Sequence, residues 1–373
     1  MSSIFKNFYE DSILAKRKIE RKEDIRGPYF RDQTAIIHSM GFRRLKNKTQ
    51  VFFSPENDHI CTRIEHSLHV STISTVICKA LGLNYELAQA IALGHDLGHA
   101  PFGHAGEEII SDLAKKHGNN EYKFYHEIQS LRVVDKLEND GKGLNLTFAV
   151  RDGIISHCGE KFEKCIEPAR ELRELEEIKD KSKYPITYEG CVVRMADKIS
   201  YLGRDIEDAL KAKIIAEDDI PKSIIENLGE KNGEIIDTFV NDFINCSIKE
   251  EKPCFSEEIY RLMIELKEFN YEKIYKNKKL QDYKVKARKV IEIIFEHLLK
   301  EFQNNGWNLK KYNDKLIPLN VRFGNYLKRR EKLYRNEGTS ALQIVIDYIS
   351  GMTDSYALKC AQEIVFPKPI SFD

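Results

Sequence analysis

Apolar residues recur three and four apart over most of the chain and alternating, strand-like runs are scarce, so the pattern predicts a mainly α protein. Over residues 65–81, Leu68, Ile73, Ile77 and Leu81 fall on or near one helical face, and Gly82 follows, the residue type favoured just past a helix end. Asn84 then caps a second helix expected to run to about Leu97. A third begins near Thr187, after Pro185, and carries Val192, Val193, Ala196, Ile199, Ile206 and Leu210. From about Asp218 to Asn305 the pattern stays helical and charged, with Val290, Ile294, Leu298 and Phe302 in register, and residues 339–350 read as a helix stopped by Gly351. The most strand-like piece is TQVFF at 49–53, followed by the turn-forming SPENDH, which predicts a short β-hairpin. Residues 161–183 are charge-dense and read as a solvated helix or an excursion, and those after Pro367 as a frayed end.

With 373 residues and 42% hydrophobic content, the chain can bury one large core, or one core with an appended subdomain. Lys+Arg and Asp+Glu are 59 each, so no global field draws the protein onto DNA or an anionic membrane, and any phosphate binding must be local. Eight cysteines are scattered without a CxxC pair, several within apolar helical patterns, which predicts buried thiols and a reducing cytosol. MSSIFKNFYEDSILAKRK lacks an apolar core, and no stretch approaches the roughly 18 apolar residues of a membrane span, so neither export nor membrane insertion is expected.

Candidate chemistry changes the picture. Eight of the eleven histidines lie between His59 and His126, a crowding that points to metal or phosphate chemistry. At its centre His95 and Asp96 stand in GHDLGHAPFGHAGE, at the end of an apolar helix and before glycines that permit a tight turn. Two ligands do not close a coordination shell, and His66 and Asp197 are the best further candidates. Two imidazoles and two carboxylates suit Mn²⁺, Fe²⁺, Mg²⁺ or Zn²⁺ and leave positions for water and phosphate oxygen. His104 and Glu107, three apart, form a candidate acid/base dyad; alternatively His104 merely starts a helix and Glu107 complements its dipole. Arg63, one turn before His66, can offer its planar fork to a phosphate or pair with a nearby acid. Asp197, Tyr201 and Asp205 are spaced by four and project along one stripe. The basic cluster Lys328, Arg329, Arg330, Lys332 and Arg335 reads as a solvated face, with phosphate or single-stranded nucleic acid as the lesser reading. Taken singly, each of these residues is more often ordinary; together with HDxxH and PFGH they are not.

The runs RIEHSLHV, HDLGHAPFGHAGE and ADKISYLGRD, with FRRLKNKTQVF upstream and DYISGMTDSYA downstream, closely resemble the deoxyguanosinetriphosphate triphosphohydrolase family of HD-domain phosphohydrolases. The resemblance implies a single unit over 1–373, with a metal-binding HD core at about 60–212 and a C-terminal helical region at about 213–373. It implies a divalent metal on His66, His95, Asp96 and Asp197, and a dNTP cleaved to deoxynucleoside and intact triphosphate. His104, Glu107 and His126 would act in catalysis, and His99 would reach the phosphates with Arg63 and Lys198. Tyr201 would pack on the deoxyribose, and Asp205 and Gln50 would contact its 3′-hydroxyl side. A homo-oligomer and an allosteric dNTP are also expected from the family. The alternatives are an HD nucleotidase that releases orthophosphate, and a non-catalytic nucleotide- or nucleic-acid-binding protein; neutral net charge and the complete ligand set weigh against the latter.

Overall fold

The computed structural model describes residues 5–22, 24–51, 60–118, 120–158, 162–180, 182–313 and 317–366. The fold is mainly α, as the periodicity predicts, and no sheet forms among the described residues. The principal helices of the first part are α1 (Gly27–His38), α2 (Arg63–Leu81), α3 (Tyr85–Gly94), α4 (Gly103–Lys116), α5 (His126–Arg132), α6 (Phe148–Ser156) and α7 (Tyr188–Lys211). They are followed by α8 (Asn232–Glu250), α9 (Glu257–Phe269), α10 (Lys278–Asn305), α11 (Pro318–Glu337), α12 (Ala341–Ser350) and α13 (Asp354–Val365). Helices α2, α3 and α7 pack against one another, α1 covers α3, and α6 fills the space between α3, α5 and α7. Helix α10 lies on α4, α12 and α13, and one apolar cluster runs from Phe5 to Ala361. No helix among the described residues is long and apolar enough to cross a membrane.

Local chemistry explains the helix ends. Glu65 reaches back to the Thr62 amide at 2.7 Å in a capping box that starts α2, and Gly82, at φ +69°, ends it in the left-handed conformation that glycine adopts without strain. The Asn84 side chain accepts from the amides of Glu86 and Leu87 at the start of α3, and Thr187 accepts from Gly190 at the start of α7. A Cβ on Gly98 would lie 2.1 Å from the Ser130 amide nitrogen, so glycine is what lets the turn after Asp96 dock on α5. The dock is closed by Gly98 N–H donating to Ser130 Oγ at 2.8 Å and by that hydroxyl donating to the His95 carbonyl at 2.6 Å.

Several expectations are corrected. Leu68 is 48% exposed, because it lies five positions before Ile73, an offset that rotates it off the buried face. Helix α3 stops at Gly94, with His95 as its C-cap, and does not reach Leu97. Thr49 and Thr62 form an isolated antiparallel bridge; the rest of the expected hairpin, residues 52–59, lies outside the described residues, as does the end from Pro367 on. Residues 162–180 are an excursion with a short 3-10 turn at Leu175–Glu177, not a solvated helix: Ile166, Leu175 and Ile178 are buried and anchor it. Cys165 and Cys254, expected as free thiols, face each other across an antiparallel bridge and are joined by a disulfide, whereas Cys61, Cys78, Cys191 and Cys360 are buried free thiols.

The C-terminal motif DYISGMTDSYA clamps the N-terminal half. Asp347 accepts from Arg132 and Gln129, and Asp354 accepts from the Phe102 amide at 2.9 Å and the Thr49 amide at 3.0 Å. Between them Lys48 is wholly buried, its ammonium donating to the carbonyls of His99 and, at 2.7 Å, Ser350. Burial, reinforced by Arg44, pushes its pKa down from 10.5 to about 7. Above pH 7 the unfolded chain therefore holds a proton that the folded chain releases, so this group makes stability rise with pH until the unfolded lysine also titrates. In urea unfolding, the wild type should gain on Lys48→Met as pH increases from 7 to 9, by up to about 1.4 kcal/mol per pH unit. Parallel pH profiles for the two proteins would contradict this.

Candidate active site

The ends of α3 and α6, the start of α2 and the middle of α7 meet beside a cavity of about 520 Å³ lined by Arg63, His66, Asp96, His99, Asp197 and Tyr201, among others. The four residues picked as a ligand set come together here. His66 Nε2 is 3.0 Å from Asp197 Oδ1 and 3.4 Å from His95 Nε2, and His95 Nε2 is 3.4 Å from Asp96 Oδ1 and 4.0 Å from Asp197 Oδ1. The outer ring nitrogens are occupied: His95 Nδ1–H donates to the Ala92 carbonyl at 2.6 Å, and His66 Nδ1 is 3.2 Å from Ser200 Oγ, which itself donates to the Asp197 carbonyl. That arrangement turns both Nε2 lone pairs inward, toward each other and toward two carboxylates. Donors about 2.1 Å from one ion lie about 3 Å or more apart, so His66, His95 and Asp96 are grouped as a divalent cation requires, with Asp197 beside both imidazoles, and the second ring nitrogens are held as metal-ligating histidines usually are.

Arg63 is buried and donates from Nη1 to Asp96 Oδ2 at 2.8 Å, the acid-pairing alternative of the sequence reading. Its Nε and Nη2 are buried with no partner among the described residues, so half of the fork has no protein acceptor. Although burial opposes it, His95, His99 and Arg63 hold the Asp96 carboxyl well below the usual range.

Glu107 does not serve His104 alone. Its carboxylate is 2.5 Å from His99 Nδ1, 3.1 Å from His126 Nδ1 and 3.7 Å from His104 Nδ1. His99 and His126 stack with ring centroids 3.7 Å apart, whereas the His104 side chain is 75% exposed at the cavity rim. Burial lowers the pKa of His99 to about 4, with Arg63 adding to it; for His126 burial is outweighed by Glu127 and Glu107, which raise it to about 9.

Tyr201 and Asp205 line the cavity one and two turns beyond Asp197, and Gln50 lines it too, its buried Oε1 without a partner among the described residues. Burial, with Asp208 nearby, pushes Asp205 up to about 7, and the Tyr275 hydroxyl donates to it. Lys198 is not brought to the cavity. One residue past Asp197 on a helix means a turn of about 100°, and its ammonium instead pairs with Glu163 over the Phe162 ring.

Sequence reasoning passed over His157, Tyr275, Lys276 and Lys284. The last three line the cavity from the π-helical turn Asn270–Tyr275 and its surroundings, within a segment legible only as charged helix. His157 is fully buried beside His95 and His126, with ring centroids 4.8 and 5.2 Å away. Its one signal is position: like His95, it ends a short apolar helix.

Residues 63–202 match the HD domain family, and residues 254–314 and 324–363 match the phosphohydrolase-associated domain. The chain is 42% identical over 351 residues to the deoxyguanosinetriphosphate triphosphohydrolase-like protein of Caldanaerobacter subterraneus subsp. tengcongensis, covering 94% of this chain and 88% of that one. Proteins of the same description from Clostridium perfringens strain 13 and Clostridium tetani are each 37% identical, over 98% and 95% of this chain and 94% and 90% of theirs. With the helical core and the histidine–aspartate cluster in place, these likenesses establish that the chain belongs to the deoxyguanosinetriphosphate triphosphohydrolase-like family of HD-domain proteins.

Proposed function

We propose that the protein is a metal-dependent dNTP triphosphohydrolase that releases deoxynucleoside and intact triphosphate. The observation that carries this reading is the make-up of one cavity: His66, Asp96 and Asp197, backed by buried His95, line it together with the half-engaged Arg63 and the stripe of Tyr201 and Asp205. His66, His95, Asp96 and Asp197 would hold Mn²⁺, Mg²⁺, Fe²⁺ or Zn²⁺. When bound, such an ion polarises a phosphoryl oxygen and lowers the pKa of water.

The chain's own residues divide the remaining work. The free side of Arg63 and the stacked His99 and His126 bind the phosphates. The bond broken joins the α-phosphorus to the 5′-oxygen; water adds to phosphorus, and the departing 5′-oxygen takes a proton. His104, exposed at the rim and within reach of Glu107, delivers it. Tyr201 places its ring against C2′, where a 2′-hydroxyl would collide and lose hydration without gaining a partner. Asp205 and Gln50 take the 3′-hydroxyl, and a dideoxy sugar would leave them unpaired. The whole chain acts as one unit, because Tyr275 of the C-terminal half holds Asp205.

Phosphorus NMR of reactions with each dNTP should show tripolyphosphate as the phosphorus product. Orthophosphate or pyrophosphate as first product would overturn the reading in favour of another phosphohydrolase. His104→Ala should lose about 10²- to 10⁴-fold in kcat with metal content retained; unchanged turnover would move the proton transfer to another histidine. In the sugar stripe, Tyr201→Ala should narrow the gap in kcat/KM between dNTP and NTP, and Asp205→Ala should shrink the penalty for a missing 3′-hydroxyl. Equal wild-type kcat/KM for dGTP and GTP, and for dATP and ATP, would show that this stripe does not read the sugar.

A further inference from the structure

Helices α4 and α10 face each other through a ladder of ion pairs. On α4, His104, Glu108, Asp112 and Lys116 stand four apart and share one stripe, and on α10 Lys284, Arg288 and Glu296 fall at multiples of four. Glu108 pairs with Lys284 at 2.5 Å, Asp112 with Arg288 at 2.7 Å and Lys116 with Glu296 at 2.7 Å. Of these rungs, the first alone lines the cavity, together with His104 one turn before Glu108. The outer two, and the apolar residues that both helices bury in the common core, hold α4 on α10 without it. As a fastening, the Glu108–Lys284 pair is expendable.

Its place suits a ligand better. The Glu108 side chain is exposed and that of Lys284 is partly so, and an ion pair open to water on both sides is weak. A polyanion that offers several oxygens competes well for such a cation. At the buried end of the cavity, Arg63 and a divalent ion would meet the reacting phosphoryl group, but Asp96 and Asp197 already draw on their positive charge. The outer phosphates of a chain therefore need a further cation. Lys276, the other lysine on the cavity wall, is held within its own segment by Glu272 at 2.7 Å, four residues back. Lys284 stands at the rim, on α10 opposite the stripe that begins with His104.

We propose that Lys284 takes the distal phosphates of the substrate and that Glu108 holds it at the rim until they arrive, so that the pair selects polyphosphates over monophosphates. The proposal rests on the triphosphohydrolase reading above. On binding, the lysine exchanges one carboxylate for phosphate oxygens, and Glu108 returns to water. A lone phosphate at the buried end leaves the pair closed.

The test measures binding alone. Full-length protein in excess Mg²⁺ is titrated by calorimetry with magnesium tripolyphosphate, the chain that the proposed reaction releases, and with orthophosphate. Lys284→Met should weaken tripolyphosphate binding about tenfold, the worth of one charge-assisted contact, and leave orthophosphate unchanged. Glu108→Gln should tighten tripolyphosphate binding about two- to fivefold, the worth of an exposed ion pair, because the lysine is no longer held back. The double variant should bind as Lys284→Met does, since Glu108 acts only through the lysine. A pair that merely fastened two helices would shift both single variants in the same direction. Wild-type tripolyphosphate affinity in Lys284→Met, an equal loss of orthophosphate there, or unchanged or weakened tripolyphosphate binding in Glu108→Gln would each overturn the proposal. If circular dichroism shows that Lys284→Met has not folded, Glu108→Gln decides alone. Because no turnover enters the measurement, orthophosphate as the product of dNTP hydrolysis would remove the triphosphohydrolase reading and leave these affinities to decide the role of the pair.

Discussion

Two imidazole lone pairs and two carboxylates meet in a space nearly closed to water, and the surroundings are arranged to make that tolerable. His66, His95, Asp96 and Asp197 come from three separate segments, the start of α2, the end of α3 and the middle of α7. Unbalanced negative charge so deep in a protein is expensive, and the half-engaged Arg63 offsets only part of it. A cation held there would offset the rest, and each outer ring nitrogen is tied down, so the rings cannot rotate and relieve the convergence.

The C-terminal half serves the same constraint at a distance. Asp354 and Lys48 bind main-chain groups of Phe102 and His99, on the turn that carries the histidines, and Asp347 grips α5 through Gln129 and Arg132. A turn that must hold Phe102 at φ +67° needs such external fastening, since a side chain there is strained. Tyr275 extends the support to the Asp205 side of the cavity, its hydroxyl donating to that carboxylate. The matched phosphohydrolase-associated region thus contributes to the cavity as well as covering the core.

How much of this was legible in the chain depends on how locally each feature is encoded. Helices α2, α3 and α7 could be read from periodicity and caps, because Gly82, Asn84 and Thr187 act on their immediate neighbours. His66, His95, Asp96 and Asp197 could be picked as a cluster because each stands in a dense motif. Lys198 stands in such a motif too, yet helical rotation points it at Glu163, which the excursion supplies from 35 residues away. His157 has no motif around it, and its partner His126 lies 31 residues earlier, so only packing reveals the pair. The Cys165–Cys254 bridge, spanning 89 residues, is invisible to spacing for the same reason.

If a cation is what the converging ligands require, its removal must cost stability. Thermal unfolding of the chelated protein and of the same protein in excess Mn²⁺ should differ by roughly 5 °C or more. In His66→Ala most of that difference should disappear. Coincident wild-type unfolding curves with and without the ion would contradict the account.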